Sequence, residues 1–493
     1  MSVTESASTR APRRLAQRRA DAEASSVPLI VMLFLFLLLV PAAALFSVGP
    51  LVLSPLRIFL LIITIPVVLQ FVMTIRLRAF DYLFLFSVFW YGITHALNYG
   101  IGKGVQFGGL YFVHTIGVYA LVQISIKRAE QIEAAFRIVL IILLILLPIA
   151  AIESITQTRY VHATFSRLFG TAIEIQGDTR LGMLRAATVF AHPILFGLFC
   201  ASTFAFLWYM RGPTALRFLR CLVAALCTFF SLSAGALIPL MMQIVLISVE
   251  WFTRGIKQRM MYAFWGMLSV YTFLEVAANS GAFGVMTRFL TLNAHTAYYR
   301  RWIWEHGIDD VMRNPIFGFV TENWTRPHWM TGSVDNHWLV LMMRMGILGM
   351  GAMALAIFLI LRQMMSRPDE ELPLVQARMR RAVLFSLVGI FVSGATVSFF
   401  DKMEPILAFY IGLAAVFARW EIAAGAETAG KGSGRRERLR RMTPSVAKET
   451  PVDETDAAPP TDGKPGRPGL RRRPRLASGP QVRSPSGGLR PRR

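Results

Sequence analysis

Long apolar runs separated by short polar turns make up most of the chain up to about residue 421. A helix of about 20 apolar residues is long enough to cross the hydrocarbon core of a bilayer, which is about 30 Å thick. By length and hydropathy, about 12 runs qualify as membrane spans. They occupy 28–48, 56–75, 80–98, 105–126, 132–152, 188–210, 216–232, 234–252, 259–279, 345–363, 381–400 and 404–421. The pattern predicts an all-α fold, that of a polytopic membrane protein with about 12 transmembrane helices.

Basic residues gather in every second connection between these runs. Short loops that carry Lys and Arg stay in the cytoplasm. The basic connections contain Arg76, Arg78, Lys127, Arg128, Arg211, Arg217, Arg220, Arg254, Lys257, Arg259, Arg367, Arg380 and Arg381. This alternation predicts a multi-pass protein of a bacterial inner membrane with its N- and C-termini in the cytoplasm. Two long loops, near 153–187 and 280–344, are then periplasmic, and we expect short helices in one of them.

Composition separates the ends of the chain from its centre. The chain is 54% hydrophobic and only 16% charged, which is too apolar for an ordinary soluble protein. About half of the net charge of +23 lies after Gly430, in a segment rich in Arg, Pro and Gly. We therefore expect a basic cytoplasmic segment at 1–27, a functional transmembrane domain at 28–422 and a disordered basic cytoplasmic tail at 423–493. The tail should attract anionic membrane lipid, and we expect no nucleic acid as a partner.

Several motifs of cofactor and metal chemistry are absent from the sequence. It contains no phosphate-binding G-x-x-x-x-G-K-[ST], no paired C-x-x-C and no H-E-x-x-H. The cysteines Cys200, Cys221 and Cys227 all fall inside apolar runs, where a cysteine is usually a small buried hydrophobe. No internal repeat supports a carrier, although a carrier is not excluded. We expect neither a cofactor nor a metal.

The second long loop contains a run, 298–314, that predicts a helix. Arg301 lies one helical turn before Glu305, so these two side chains are expected to form a salt bridge. Arg300 lies over Trp304 instead and has no acidic residue three or four positions later. Arg300 is therefore the better candidate for binding an anion.

Two other runs place polar residues where the chain enters the membrane. Arg185 precedes His192 and Pro193; the arginine can serve either as a lipid-phosphate anchor or as a ligand-binding group, and the histidine is more often structural. A later run gathers four polar residues among three tryptophans. They are Arg326, Asp335, Asn336 and His337. An interfacial aromatic belt explains the tryptophans but not the adjacent carboxylate, amide and imidazole.

These three runs, in this order, resemble the O-antigen ligases and Wzy-type polysaccharide polymerases, membrane glycosyltransferases that use undecaprenyl-diphosphate sugars. That family shows an Arg, then Phe, His-Pro and Gly; later an Arg four residues before Trp and a Pro-x-x-Gly; then a His-Asn pair four residues before Leu and eleven before Gly. The residues here that carry the resemblance are Arg185, Phe190, His192, Pro193 and Gly197, then Arg300, Trp304, Pro315 and Gly318, then Asp335 and Asn336 before Leu339 and Gly346. The resemblance covers roughly residues 180 to 360.

This resemblance implies a metal-independent glycosyltransferase whose donor is an undecaprenyl-diphosphate-linked glycan. Negative charge grows on the departing phosphate, and arginines can stabilise it, while the attacking hydroxyl must lose a proton to a base. The candidate base is Asp335 or His337. The candidate substrate-binding residues are Arg185, Arg300, Arg326, Asn336, His192 and Trp304.

Two departures from the family pattern concern the site. The family's usual Ser-Arg-Gly appears here as Ser233-Ala234-Gly235, so that arginine is missing, and Asp335 replaces the usual histidine. The leading hypothesis is a periplasmic-face polymerase of lipid-linked oligosaccharide repeats for a surface polysaccharide or exopolysaccharide, with a glycan as acceptor. The alternatives are an O-antigen ligase, whose acceptor is a lipid A core, and a flippase or other carrier. A chain-length regulator is a further candidate partner.

Overall fold

Apolar composition, together with Pro and Gly at the turns, produces a fold made almost entirely of helices. A computed structural model of the chain describes residues 26–48, 51–171, 178–253, 266, 269, 272–273, 294–319, 321, 324–330 and 332–442. The helices are α1 (Leu29–Leu37), α2 (Pro55–Thr74), α3 (Ala79–Tyr99), α4 (Ile101–Ser125), α5 (Ala129–Thr156), α6 (Tyr160–Phe169), α7 (Pro193–Tyr209), α8 (Thr214–Phe230), α9 (Ala234–Phe252), α10 (Ala294–Arg313), α11 (His337–Met364), α12 (Leu374–Gly394) and α13 (Met403–Met442). A π-helical turn, Val113–Gly117, interrupts α4, and a short 3₁₀ helix, Asp369–Glu371, precedes α12.

Within the described residues, six helices are long and apolar enough to cross a membrane. They are α2, α4, α5, α9, α11 and the Met403–Ala424 part of α13. Each overlaps one of the runs that the sequence marked as a span. The prediction of an all-α protein with several membrane-spanning helices is therefore confirmed at this level. The predicted span at 259–279 lies almost wholly outside the described residues.

The first predicted span, 28–48, is not one continuous helix. Helix α1 ends at Leu37, the chain turns, and strand β1 (Phe46–Val48) pairs antiparallel with β2 (Leu51–Leu53). The carbonyls of Leu38 and Val40 accept hydrogen bonds from the Lys402 ammonium, at 3.0 and 2.6 Å, rather than from helical amides. Lys402, which is distant in the sequence, thus stabilises an unwound segment after α1. Apolar periodicity alone predicts a helix there.

The two long loops carry structure of their own. The first contains helix α6, which the sequence did not indicate, and a hairpin of β3 (Thr179–Arg180) and β4 (Met183–Leu184). The second contains α10, close to the predicted run 298–314. Helix α10 packs against α11 around a small apolar core that includes Ile303, Leu339 and Met343.

Ion pairs collect where the basic connections meet. The pairs there are Arg211 with Glu133, Arg381 with Glu250, Arg380 with Asp369, Arg367 with Glu421 and Arg419 with Asp81. The 28 residues of α5 correspond to about 42 Å, so this end of the fold is far from the residues that follow α5. Among the described residues, the basic connections that the sequence assigned to one face of the membrane therefore lie at one end of the helices, whereas the connection with Arg254, Lys257 and Arg259 lies outside the described residues.

The last helix, α13, continues to Met442, past the boundary that composition placed at residue 423. Residues 423–442 include four Ala and five Arg, which favour helix, and also four Gly, which do not. The rest of the predicted tail, 443–493, lies outside the described residues, as does 1–25 of the N-terminal segment.

Candidate functional site

Four arginines converge beyond the C-terminal end of α5, and we refer to Arg159, Arg180, Arg185 and Arg300 as the arginine cluster. The Arg159 Nη2 donates to the carbonyl oxygen of Arg185 at 3.1 Å. The charges of Arg180 and Arg159 each lower the pKa of the Arg185 guanidinium, in addition to the larger effect of burial. The charge of Arg180 likewise lowers the pKa of Arg300. Sequence reasoning had identified only Arg185 and Arg300.

A tight hairpin presents Arg180 to the cluster. Its two turn residues, Leu181 and Gly182, both have positive φ, 53° and 74°, the backbone of the two-residue turns that suit hairpins. The Arg180 Nη1 donates to the carbonyl oxygen of Leu232 at 3.2 Å. That carbonyl directly precedes Ser233-Ala234-Gly235, where the family pattern has an arginine. A guanidinium from another part of the chain thus lies beside the turn that lacks its own.

Arg185 is held firmly in place. It is buried, its Nη1 donates to Asp178 Oδ2 at 2.9 Å, and its Nε donates to the carbonyl oxygen of Ser231 at 3.4 Å. The segment that follows is anchored as well, because Glu153 Oε2 accepts hydrogen bonds from the amides of Ala187 and Thr188 at 3.1 and 2.9 Å. Arg185 therefore contributes charge from a fixed position but already has an acidic partner.

Arg300 has a different environment from Arg185. It is only 9% exposed, and within the part of the chain that the structure describes its Nε and Nη1 have no hydrogen-bond partner. Its neighbour Arg301 donates to Glu305 at 2.7 Å, and both of those side chains are 48% exposed. The predicted salt bridge is thus confirmed, and the two adjacent arginines have different environments. Arg300 retains hydrogen-bonding capacity that a ligand anion can use.

Asp335 lies near enough to Arg300 for their charges to interact, but it does not neutralise Arg300 directly. Both residues are described, and they form no ion pair within 4.0 Å. The protein packed around the Asp335 carboxyl raises its pKa, and the positive charge of Arg300 opposes that rise. Asp335 also keeps exposed surface, so solvent moderates the effect of burial. A carboxylate that is accessible, adjacent to a cationic site and easier to protonate than usual suits a general base.

His337, the other candidate base, faces a different environment. It is buried at the start of α11, its ring stacks on Phe399 with centroids 4.4 Å apart, and its Nδ1 accepts from the Phe399 amide at 3.4 Å. The charged groups near it are Glu404 and Arg344. The structure therefore does not bring His337 to the arginine cluster with Asp335, although the two residues are separated by one position in the sequence.

Two of the predicted substrate-binding residues cap helices. Asn336 Oδ1 accepts from the Leu339 amide at 3.0 Å and caps α11. His192 Nδ1 accepts from the Ile194 amide at 3.2 Å and caps α7. A side-chain N-cap commonly contributes about 1 kcal/mol to stability. Both caps fix the points at which helices begin beside the site.

Arg326 and Trp304 occupy the loop side of the site. The Arg326 guanidinium donates to the carbonyls of Met330 and Trp324, at 3.4 and 3.3 Å, and lies over the Trp324 ring. Trp304 packs against the small core between α10 and α11. These contacts give both residues a role in holding the loop around α10, and neither contact places them among the four arginines.

Two glycines join the end of α10 to a break in α11. Gly318 and Gly346 have φ of +64° and +67°, and a β-carbon on either would collide with a backbone carbonyl oxygen of the other segment. Across this contact the Phe319 amide donates to Met343 O at 2.7 Å, and the Ile347 amide donates to Pro315 O at 2.6 Å. The contact determines how α10, and with it Arg300, is positioned relative to α11.

Lys402 is a further residue of this region that sequence reasoning did not single out. Its buried ammonium donates to the carbonyl of Val189 at 2.7 Å as well as to those of Leu38 and Val40, and lies 4.9 Å from the centre of the Phe190 ring. It therefore links the unwound segment after α1 to the segment between Arg185 and α7. In the sequence it lies between Asp401 and Glu404 in a short polar turn, so nothing in the local pattern distinguished it.

No protein-family model matches this chain, and a search of curated proteins finds no relative of it. The chemistry of the site must therefore be argued from its geometry. Among the described residues, the four guanidiniums outnumber the nearby carboxylates, which are those of Glu153, Asp178 and Asp335. The side chains of Asp178 and Arg180 are 45% and 41% exposed. A solvent-accessible site with excess positive charge and a carboxylate beside it can bind an anion and accept a proton.

Proposed function

We propose that the chain is a membrane glycosyltransferase that polymerises undecaprenyl-diphosphate-linked oligosaccharide repeats at the periplasmic face of a bacterial inner membrane. The observation that carries the proposal is Arg300, which is buried among other arginines and has two nitrogens without partners within the described residues, beside the carboxylate of Asp335. The order of polar motifs that resembles O-antigen ligases and Wzy-type polymerases supports the same function.

In the proposed reaction, an acceptor sugar hydroxyl attacks the anomeric carbon that is bonded to the diphosphate. A new carbon–oxygen bond forms, the bond from that carbon to the phosphate oxygen breaks, and the electron pair leaves with undecaprenyl diphosphate. Asp335 takes the hydroxyl proton, a step worth on the order of 10²–10⁴-fold in rate. Arg300 and Arg180 donate hydrogen bonds to the leaving phosphate, and Arg185 adds fixed positive charge.

The membrane arrangement in this proposal uses about 12 spans, of which the six long apolar helices form the core set. Helices α3 and α12, each 21 residues long, and the shorter α7 and α8 supply further spans. The end with many ion pairs faces the cytoplasm, because it carries the basic connections. The arginine cluster, at the far end of α5, then faces the periplasm, where lipid-linked repeats are polymerised.

The test is transfer by the purified full-length protein in lipid vesicles, supplied with an undecaprenyl-diphosphate-linked oligosaccharide. We expect a ladder of longer lipid-linked glycans and release of undecaprenyl diphosphate. Arg300→Ala should reduce transfer by about 10²–10³-fold, by analogy with the loss of one preorganised donor to a developing anion. Arg301→Ala is the matched control and should cost little, since an exposed salt bridge contributes about 0–1 kcal/mol.

Other outcomes distinguish the alternatives. Consumption of a lipid A core acceptor in place of a second lipid-linked repeat would make the protein a ligase. Movement of donor across the vesicle membrane without formation of any glycosidic bond would make it a carrier. Equal tolerance of Arg300→Ala and Arg301→Ala in an active preparation would rule out the diphosphate-binding role of Arg300.

A further inference from the structure

A cavity lined in part by basic side chains lies at the opposite end of the helices from the arginine cluster. Its volume is about 300 Å³, within the range of small-molecule sites, and it opens between the ends of α2, α4 and α13. Lys127, which lines it, directly precedes Arg128 and α5, whereas the arginine cluster begins beyond the other end of that helix. The cavity is therefore separate from the proposed transferase site.

Arg419 lines this cavity, and each of the three nitrogens of its guanidinium donates a hydrogen bond. Arg419 donates to Asp81 Oδ1 at 2.6 Å, to Gln123 Oε1 at 2.8 Å and to the carbonyl of Arg76 at 2.9 Å. Asp81 is buried and also accepts from the Tyr119 hydroxyl at 2.7 Å. The acid nearest the cavity is thus committed to Arg419 and Tyr119 and is withdrawn from solvent.

Three other cations line the cavity: Arg76, Arg78 and Lys127. None of the three forms an ion pair with a carboxylate within the described residues. The Lys127 ammonium donates to the Gln123 carbonyl at 3.3 Å, and burial, followed by the charge of Arg419, lowers its pKa. Such a concentration of positive charge around an open cavity favours an anion.

The cavity also lies at the ends of apolar helices, where the headgroups of a surrounding bilayer are expected. Helix α2 leads to it with an exposed apolar surface, on which Val72 is 49% and Met73 82% exposed, and Arg76 and Arg78 follow shortly after the helix ends at Thr74. Trp420, a residue type common at membrane interfaces, forms another part of the wall. Basic pockets between helix ends on the cytoplasmic side are typical sites for anionic headgroups.

We propose that the cavity bounded by Arg76, Arg78, Lys127 and Arg419 binds the phosphate headgroup of an anionic phospholipid from the surrounding leaflet. Arg76 and Arg78 contact the phosphate, and Arg419 holds the cavity open by bonding α13 to Asp81 and to Gln123. This site is built from ordered helix ends and does not depend on the basic tail.

Native mass spectrometry of the full-length protein, released from bilayers that contain phosphatidylglycerol and phosphatidylcholine, tests the proposal. We expect at least one phosphatidylglycerol to be retained, and Arg76→Gln combined with Arg78→Gln to weaken retention by about thirtyfold. The matched control is Arg128→Gln with Arg362→Gln, two exposed arginines at the same end but outside the cavity, which should retain the lipid. If both double variants lost phosphatidylglycerol equally, the retention would depend on general surface charge, and the proposed site would be ruled out.

A second variant tests the site without removing an arginine, so that a loss of lipid cannot be attributed to a disturbed fold. Ala423→Glu places a carboxylate on the exposed wall of the cavity without deleting any contact, and it should exclude phosphatidylglycerol. Inorganic phosphate at millimolar concentration should not displace the retained lipid. Displacement by phosphate would identify a free-anion site, and retention of lipid by Ala423→Glu would show that the headgroup binds elsewhere; either result overturns the proposal.

Discussion

Gly318 and Gly346 meet so closely that neither position has room for a β-carbon. Through this contact the chain that follows α10 is bonded to α11 at a break in that helix, on both sides of which backbone amides and carbonyls pair across the two segments. The position of Arg300 above α11 therefore depends on two residues that carry no functional group.

The glycine contact leads to a prediction about stability. Gly346→Ala should lower the free energy of unfolding by about 1–3 kcal/mol or more, because it adds a backbone collision to the strain of a positive φ. Gly351→Ala, in the same helix and with open space at its β-carbon, is the control and should be neutral or slightly stabilising. Thermal unfolding of the purified protein measures both effects. Similar melting temperatures for the two variants would contradict a close backbone contact between Gly318 and Gly346.

A second prediction concerns Arg180, which the structure adds to the site. Arg180→Gln should lower kcat/KM for transfer by about tenfold or more, because it removes a half-exposed cation close to Arg300 whose acidic partner, Asp178, is 3.7 Å away and is shared with Arg185. Arg167→Gln removes an exposed arginine from α6 in the same loop and should leave transfer unchanged. If both variants lose activity equally at normal abundance, the effect arises from loop charge in general and not from the arginine cluster.

The pH dependence of transfer tests Asp335 as the base. The carboxylate must be ionised to accept a proton, so activity should rise with pH as Asp335 loses its proton. This acid limb of the pH profile should lie at a higher pH than for an ordinary aspartate, because burial raises the pKa of Asp335. Arg300 lowers the same pKa. Arg300→Gln should therefore shift the limb of the residual activity to higher pH, whereas Arg300→Lys, which keeps the charge, should shift it less.

The comparison of Asp335→Asn with His337→Ala separates the two candidate bases. Asp335→Asn should remove the acid limb and most of the activity, while His337→Ala should act mainly on stability, since its ring is packed on Phe399. Loss of the acid limb in His337→Ala alone, at constant abundance, would assign the base to the histidine.

Topology is tested with reporters fused in the loops. Fusions within 160–180 and 290–330 should report a periplasmic location, and fusions near 128, 215, 257 and 372 a cytoplasmic one, because the basic connections meet at one end of the helices. A cytoplasmic result for either long loop would place the arginine cluster in the wrong compartment for the proposed reaction.

Features that depend on local spacing were predictable from the sequence. The salt bridge from Arg301 to Glu305, the helix around Arg300 and the long apolar helices follow from helical periodicity and composition. The pairing of Arg180 with the Leu232 carbonyl was not predictable, because it joins residues 52 positions apart through a hairpin turn.

The unwound segment after α1 is a stronger example of a structure that depends on residues far apart in the sequence. Its stabilising group, Lys402, lies 364 positions from Leu38, and no local pattern in 28–48 indicates that its carbonyls bond to a lysine. Asp335 and His337 likewise have different environments because α11 begins between them. Asn336 caps this helix, and His337, its first residue, is buried. Adjacent polar residues in a sequence need not serve one site.

The two guanidinium nitrogens of Arg300 without partners in the described structure have a consequence for the protein in the cell. A buried cation that has lost water without gaining hydrogen bonds destabilises the fold, and an anion that restores those bonds stabilises it by mass action. An apolar side chain at this position would avoid that cost, so in the proposed function Arg300 provides an anion-binding group at the expense of stability. In the proposed function, a shortage of lipid-linked donor leaves the protein in its less stable form, and turnover by quality-control proteases then rises as supply falls.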